Sequence, residues 1–298
     1  LFFKSLYVHC FNGGCGKHVD YIQFLKDFDE RLTNKDDLIY FLDYITVNKT
    51  AVTSTKDYLD HLAFQHLKDY SIELSVVKEI LDLSYIKDCE PIEKYLKSRL
   101  LHHHFDNFLY DKSAKQLYIF NLTPDGKSTI GWQVRNFRAD KVKYESYTIE
   151  KINRKVLDRA LEFDNEDLIK LNTLSIYFNI LNADFTKPFT VLEGPIDRLF
   201  VKNSVALAGS DKPTAMFDEI STARYLFDND SVGKRFMEAK LKNKKTVFMW
   251  EKLVRDYKIK EKIKDVNDLL IYCYKNKNDA IRNLDKYYTS CPLDIRSV

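Results

Sequence analysis

The sequence lacks long apolar runs and a strong excess of charge of either sign. No apolar run reaches the roughly 18 residues that a membrane span requires, so neither a spanning helix nor a membrane partner is expected. The 47 Lys and Arg residues nearly balance the 44 Asp and Glu residues, and the net charge is only +3. Binding to nucleic acid would therefore need a local basic patch. A hydrophobic content of 45% predicts a soluble, globular chain.

Cysteine is scarce as well, and its pattern bears on the cellular compartment. The odd number of five cysteines forms no disulfide framework, which indicates a reducing compartment and predicts a cytoplasmic location. These residues are Cys10, Cys15, Cys89, Cys273 and Cys291. The chain begins at Leu1 without a charged leader or a cleavage site, which favours a trimmed N-terminus over a signal peptide.

The most informative stretch is an apolar run that stops abruptly. Residues 189–192 are apolar and β-branched, which predicts a buried strand. The run ends in Glu193, Gly194 and Pro195, through which no strand continues, and residues 197–201 have near-helical apolar spacing. Glu193 is therefore expected at the carboxyl end of a strand, where open α/β sheets bind their ligands.

Two further acidic clusters follow predicted strands. A strand over residues 224–227 ends at Asp228 and Asp230, and a strand predicted over residues 246–250 precedes the second cluster. That second cluster comprises Lys264, Asp265, Val266, Asn267 and Asp268. Carboxylates at successive strand ends would meet at one edge of a parallel sheet, and Mg²⁺ prefers such hard oxygen ligands.

These motifs resemble a known fold when they are taken in order. Glu193 and Gly194 with Asp197, then Asp228-Asn229-Asp230, then the run KDVND are similar to the successive motifs of the TOPRIM fold. Bacterial-type primases, topoisomerases and some nucleases share that fold. The segments VLEGPIDRLF and KDVNDLL resemble most closely those of the DNA primases of T-even-like bacteriophages. The resemblance covers most of the 298 residues.

The resemblance implies an α+β or α/β fold. A TOPRIM-type parallel sheet flanked by helices would follow a mixed α+β lobe and a partial zinc-ribbon-like N-terminus. The implied divisions are a zinc-ribbon-like segment over residues 1–45, a helical connection over 46–90, a lobe that binds template and nucleotide over 91–188, a TOPRIM domain over 189–275 and a tail over 276–298. Helical periodicity is also present over residues 55–70, 71–86, 151–182 and 268–288.

The resemblance also assigns roles to the acidic residues. Glu193 is the expected general base, and Asp197 belongs to the same catalytic motif. The expected Mg²⁺ or Mn²⁺ ligands are Asp228, Asp230, Asp265 and Asp268. Metal ions held there would neutralise a reacting phosphate and help pyrophosphate to leave. An isolated Asp-x-Asp motif is most often a solvated surface feature, so the order of all three motifs carries the prediction.

A basic segment precedes the acidic motifs. Residues 130–135 resemble the primase strand that ends in an arginine facing nucleic acid, which here is Arg135. Further cations follow it, namely Arg138, Lys141 and Lys143, with Tyr144 and Tyr147 interleaved. Cations that neutralise phosphates and rings that stack on bases suit a groove for a single strand. The alternative is an ordinary solvated hairpin.

The N-terminus resembles the second half of a primase zinc ribbon. Cys10 and Cys15 follow a short predicted strand and precede a helix predicted over residues 19–28. Their spacing is wider than the CxxC of the family, and an upstream cysteine pair is absent, so with His9 or His18 they form only a partial set for tetrahedral Zn²⁺. Zn²⁺ is expected only in a longer chain, and plain thiols are the alternative.

The resemblance implies a phage-type DNA primase that makes short RNA primers. Its expected partners are single-stranded DNA, rNTPs, the RNA primer and a replicative helicase, in the cytoplasm of a bacterial host. A TOPRIM nuclease would use the same acidic set to cleave phosphodiesters, and a non-catalytic nucleic-acid-binding subunit is a third class. A topoisomerase is disfavoured because nothing nearby indicates its tyrosine-bearing domain.

Overall fold

The computed structural model describes residues 7–9, 18–20, 61–209 and 214–291. The chain divides into two compact units, Leu1–Ser54 and Thr55–Val298. In the first unit, β1 (Tyr7–His9) pairs antiparallel with β2 (His18–Asp20). The helix predicted from residue 19 is wrong at its start, because residues 19 and 20 belong to β2. Cys10 and Cys15 lie outside the described residues, and the zinc ribbon stays a prediction.

The second unit begins with an antiparallel sheet and its helices. The strands have the order β3-β6-β5-β4, and β7 pairs with β6. Their bounds are β3 Ile72–Glu73, β4 Phe108–Asp111, β5 Gln116–Leu122, β6 Ser128–Asn136 and β7 Tyr144–Tyr147. The α-helices are α1 His61–Asp69, α2 Leu74–Ile80, α3 Glu90–Ser98, α4 Ile149–Leu157 and α5 Asn165–Ser175. Two 3₁₀ helices span Ile86–Asp88 and His102–Asn107.

The β5–β6 hairpin is the centre of this sheet. The strand predicted over residues 130–135 lies within β6, and the Pro-containing turn between β5 and β6 places Gly126 at a φ of +71°. The interior residues of both strands are buried, because helices cover one face and the second sheet approaches the other. Trp132 is fully buried in β6 and lies within 6.0 Å of the rings of Tyr118 and Phe120, measured between centroids.

A close backbone approach joins the two halves of the unit. A side chain at Gly131 in β6 would place its Cβ 2.4 Å from the carbonyl oxygen of Ser175, which only glycine avoids. The buried Asn121 amide donates to the carbonyls of Ser175 (2.8 Å) and Tyr177 (3.0 Å). Phe178 then forms an antiparallel bridge with a strand of the second sheet. The antiparallel sheet is therefore fixed against the second sheet through this linking segment.

The second sheet is parallel except at one edge. Its strand order is β12-β11-β10-β8-β9, with β12 antiparallel to β11. The bounds are β8 Phe189–Leu192, β9 Ser204–Ala206, β10 Ala223–Leu226, β11 Thr246–Phe248 and β12 Tyr288–Thr289. The helices are α6 Ala215–Asp218, α7 Ser231–Lys242, α8 Trp250–Asp256 and α9 Val266–Asn276, with 3₁₀ helices over Asp197–Phe200 and Ala280–Tyr287. None of the helices in the described ranges has the length and apolarity to cross a membrane.

Several predicted elements have wrong bounds. The strand predicted over residues 246–250 ends at Phe248, because Trp250 begins α8 and donates its indole N–H to the carbonyl of Phe227 at 2.8 Å. The helix predicted over residues 268–288 ends at Asn276, where Lys277 adopts a left-handed φ of +51°. The first predicted helix of the connecting region is present as α1, and the second ends early, at Ile80 in α2.

Taken together, the described residues form a mixed α+β architecture. One antiparallel sheet and one mainly parallel sheet share a continuous core, which extends from Ala63 in α1 to Tyr287 near the end of the described residues. The α+β class predicted from the sequence is confirmed at this level of detail.

Candidate acidic active site

Two of the acidic motifs meet because their strands are parallel neighbours. β8 and β10 pair with Leu192 opposite Leu226, so both strands end at the same edge of the sheet. Glu193 directly follows β8, and Asp228 comes two residues after β10. Glu193 is partly buried, and its carbonyl oxygen accepts a hydrogen bond from Gly209 at 3.3 Å. The parallel register therefore brings the first two predicted motifs to one edge.

Asp197 connects the first motif to the third. Its Oδ1 accepts a hydrogen bond from the backbone N–H of Asn267 at 2.9 Å. Its Oδ2 lies close to Gly194, where a Cβ would come within 3.0 Å of that oxygen. The glycine therefore leaves room for the carboxylate to turn toward α9, and the two motifs, 70 residues apart, are in contact.

The pKa of Asp197 shows that several negative charges lie close together at this site. Burial raises the pKa of its carboxyl group well above the usual value, and the charges of Asp265 and Asp228 raise it further. Arg99 acts in the opposite direction without cancelling these effects. Three carboxylates from three separate motifs are therefore close enough to repel one another.

Lys264 is the cation that offsets this charge. Its Nζ lies 3.0 Å from Oδ2 of Asp228 and 3.6 Å from Oδ2 of Asp230. Burial raises the pKa of Asp228, although the bond to Lys264 counteracts that rise. The same bond to Asp228 raises the pKa of Lys264. The ammonium group thus lies between the two acids of the Asp-x-Asp motif.

Asp230 caps a helix in addition to carrying a negative charge in the cluster. It is the N-cap of α7, and its Oδ1 accepts the backbone N–H groups of Val232 and Gly233, each at 3.0 Å. These bonds, with Gly233 first, lower the pKa of Asp230. A Cβ at Gly233 would lie 2.0 Å from the carbonyl oxygen of Asp228, so this turn requires glycine. Oδ2 is the oxygen that stays directed toward Lys264.

The third motif caps a helix in the same way. Asp265 is the N-cap of α9, and its side chain accepts the backbone N–H of Asp268 at 2.7 Å. Burial raises the pKa of Asp265, and the charge of Asp268 adds to the effect. Asp268 lies in the first turn of the helix, with Oδ2 3.4 Å from the backbone nitrogen of Lys264. The charges of Asp265 and Asp268 are therefore close enough to repel each other.

Two asparagines complete the cluster, and neither was selected from the sequence. The Oδ1 atoms of Asn229 and Asn267 are both buried and have no hydrogen-bond partner. Their amide groups are fixed, because Asn229 donates to the carbonyl of Ile263 at 3.0 Å and Asn267 donates to that of Arg99 at 2.8 Å. Asn229 lies between Asp228 and Asp230, and Asn267 lies between Asp265 and Asp268. This position within an acidic motif could have identified both asparagines from the sequence. Two unpaired carbonyl oxygens are thus held beside the carboxylates.

The donor set fits a hard divalent cation in its chemistry. Mg²⁺ takes oxygen ligands and keeps several waters. Here partly buried carboxylates, which carry an excess of negative charge, lie with unpaired amide oxygens. Across the described ranges, however, no group of three or more His, Cys, Asp or Glu residues is already arranged as a metal site. Lys264 instead forms ion pairs with Asp228 and Asp230, which are two of the predicted metal ligands. Metal binding would therefore require these side chains to move.

Arg135 lies next to the acidic cluster and is held by aromatic rings. Its guanidinium carbon lies 5.1 Å from the ring centroid of Tyr95, 5.3 Å from Phe137 and 5.5 Å from Tyr144, whose hydroxyl accepts a hydrogen bond at 2.9 Å. Burial raises the pKa of Tyr144, and the charges of both Arg135 and Asp197 act on it. The arginine and the acidic cluster therefore share one region.

The other predicted cations lie in the exposed turn between β6 and β7. Arg138 forms a bidentate ion pair with Asp140, at 2.9 and 3.1 Å. Lys141 is exposed, and Nζ of Lys143 lies 5.5 Å from the ring centroid of Tyr144. Of the four predicted basic residues, the structure thus brings Arg135 to the acidic site and leaves the others on the adjoining surface.

No family model and no curated protein matches the sequence. A comparison with solved structures finds seventeen matching chains. The zinc-binding and RNA polymerase domains of the Aquifex aeolicus primase are 18% identical, with a TM-score of 0.33 over 91% of this chain and 73% of that chain. The RNA polymerase domain of Mycobacterium tuberculosis primase DnaG is 14% identical, with a TM-score of 0.40 over 82% of each chain. The catalytic core of the E. coli primase is 14% identical, with a TM-score of 0.33 over 75% of this chain and 72% of that chain. At these low identities and TM-scores, function has to be argued from the site itself.

Proposed function

We propose that this chain is a TOPRIM-type DNA primase similar to those of T-even-like bacteriophages. The observation that carries the proposal is the meeting of Asp197, Asp228 and Asp265 at one sheet edge with pKa values raised by burial. Partly buried acids that repel one another are costly to a fold and are typical of active sites. The order of the three sequence motifs and the adjoining Arg135 support a nucleotidyl-transfer site.

The acidic residues have distinct roles in this proposal. Mg²⁺ or Mn²⁺, when bound, supplies charge neutralisation at the reacting phosphate and at the leaving pyrophosphate. Asp228, Asp265 and Asp268 would hold it together with Oδ2 of Asp230. Asp197 fixes α9 against the loop after β8 through its bond to Asn267. Glu193 accepts the proton of the attacking 3′-hydroxyl group.

The basic residues bind the nucleic acid in this proposal. Arg135 orients the template or the incoming nucleotide, because its aromatic neighbours restrict its movement. Lys141 and Lys143 contact phosphates from the exposed turn, and Arg138 does so after releasing Asp140. Single-stranded DNA, rNTPs and the RNA primer are the ligands, and a replicative helicase is the protein partner. The domain divisions and a zinc site that includes Cys10 and Cys15 belong to the same proposal.

A synthesis assay tests the reaction. The protein is incubated with single-stranded DNA, rNTPs and Mg²⁺, and labelled RNA products are separated by length. RNA that depends on both the template and Mg²⁺ is expected. Shortening of labelled DNA without added rNTPs, in the absence of RNA products, would instead identify a nuclease.

A further inference from the structure

Arg198 is a charged side chain that the acidic site does not use. It directly follows Asp197 in the 3₁₀ helix Asp197–Phe200, and its Nε is buried without a hydrogen-bond partner. Its Nη2 reaches Oδ1 of Asn107 at 3.4 Å, which is a long hydrogen bond to a neutral acceptor. Within the described part of the chain, no carboxylate forms an ion pair with it.

Among the described residues, this arrangement leaves a partly buried positive charge without a counter-ion. Burial alone lowers the pKa of Arg198, to about 10, and no neighbouring acid opposes the shift. The guanidinium group therefore stays charged at neutral pH. Buried charges in folded proteins are normally paired, so a cation without a partner among the described residues is a candidate site for an anion.

A cavity lies against Arg198. It has a volume of about 170 Å³, which is large enough for a phosphate group, and Arg198, Asn107, Asn179 and Asn182 are among its lining residues. The turn between β5 and β6 forms another part of its wall. The amides of the three asparagines are polar groups that could donate to an anion's oxygens.

Local structure holds the wall of the cavity in place. Asn179 has a left-handed φ of +73°, its N–H donates to Oδ1 of Asn121 at 2.8 Å, and its amide donates to the carbonyl of Ser204 at 2.8 Å. The Asn107 amide donates one N–H to the carbonyl of His104 at 3.2 Å, which leaves its second N–H for a ligand. Asn182 is exposed, and its amide makes only a 3.5 Å contact with the carbonyl of Leu122.

Arg198 is the group that would attract an anion to this cavity. Burial lowers the pKa of His104, and the charges of Arg198, His103 and His102 lower it further, so His104 is neutral at neutral pH. The carboxylate of Asp125, in the turn beside the cavity, is engaged by the Thr123 hydroxyl (2.6 Å) and by the Lys127 N–H (3.1 Å).

We propose that this cavity binds a phosphate group, with Arg198 as its counter-ion and the amides of Asn107 and Asn182 as further donors. The site shares no side chain with the acidic cluster and does not depend on the proposed function. A nucleotide's terminal phosphates and a nucleic-acid backbone present the same chemistry to it.

The test is a binding titration in EDTA, which keeps divalent metal ions from the acidic site. Inorganic pyrophosphate is titrated at constant ionic strength by calorimetry, and unfolding temperatures are measured in parallel. Wild-type protein should bind, and Arg198→Met should bind about tenfold more weakly or worse, because a charged hydrogen-bond donor is lost. Arg235→Met, on α7, is the matched control and should bind like the wild type.

Two further measurements distinguish a loss of binding from a loss of folding. The Arg198→Met variant should unfold at the same or a higher temperature without ligand, because an unpaired buried charge has been removed. If it does not fold, the exposed Asn182→Ala variant should still weaken pyrophosphate binding. Equal binding by wild type, Arg198→Met and Asn182→Ala overturns the proposal, as does a wild type that does not bind.

A competition experiment identifies the source of the phosphate. A labelled single-stranded oligonucleotide is bound in EDTA, and pyrophosphate is added. Displacement from the wild type but not from Arg198→Met supports the site and assigns it to backbone phosphate. Pyrophosphate binding by the wild type without displacement supports the site and assigns it to a nucleotide's phosphates.

Discussion

Lys264 should compete with a metal ion for the Asp-x-Asp motif. Its ammonium group lies 3.0 Å from Asp228 and 3.6 Å from Asp230, which are both predicted ligands. A divalent ion can use these oxygens only after the lysine leaves. The Lys264→Gln substitution removes the competing charge while keeping a polar side chain of similar length.

The size of the effect follows from the exposure of the pair. The lysine side chain is 52% exposed, which puts the ion pairs in the range of surface pairs, about 0.2–1 kcal/mol each. Losing both should destabilise the metal-free fold by about 1 kcal/mol, or roughly 2–4 °C in unfolding temperature for a domain of this size. The same free energy should strengthen Mg²⁺ binding by about fivefold.

Calorimetric titration with Mg²⁺ measures the affinity, and thermal unfolding in EDTA measures the stability. Lys262→Gln is the control, because that exposed lysine is two residues away and carries the same charge. The competition argument is refuted if Lys264→Gln binds Mg²⁺ no more tightly than Lys262→Gln. Weaker binding would show that the lysine assists the metal.

Three further predictions use other features of the site. The metal-free protein should gain stability as pH falls from neutral toward the usual aspartate value of 3.8, because folding raises the pKa of Asp197; thermal melts in EDTA should show a smaller gain in Asp197→Asn. Gly233→Ala should destabilise the fold by about 1–3 kcal/mol in urea unfolding, since its Cβ would overlap the Asp228 carbonyl; an unchanged midpoint would contradict the tight turn. Neutralising Lys141 and Lys143 should lower the salt slope of single-strand binding by about two units, and an unaltered slope would exclude both as phosphate contacts.

The positions of the strands were predictable because parallel strands bury both faces. The apolar runs that became β8 and β10 stop at Glu-Gly-Pro and at Asp-Asn-Asp, and such breaks mark strand ends reliably. Pattern alone could not place Trp250, because its side chain suits a buried strand as well as a buried helix start. Its indole hydrogen bond to Phe227 depends on the tertiary structure.

The roles of the individual acids were less predictable than their position. Asp230 and Asp265 are helix N-caps, and an acidic residue before a helix has the same sequence pattern whether it caps the helix, binds a metal or does both. The ion pairs of Lys264 and the unpaired oxygens of Asn229 and Asn267 arise from contacts between distant segments. Spacing within one motif cannot show such contacts.

The most direct test of the proposed function compares RNA synthesis by two matched variants. Asp228→Asn removes a buried charge from the acidic cluster with little change in volume, and Asp167→Asn makes the same change at an exposed position in α5. With single-stranded DNA, rNTPs and Mg²⁺, Asp167→Asn should make RNA like the wild type. Asp228→Asn should lose the product by orders of magnitude while still binding single-stranded DNA. Undiminished synthesis by Asp228→Asn would contradict the assignment of the acidic cluster as the catalytic centre.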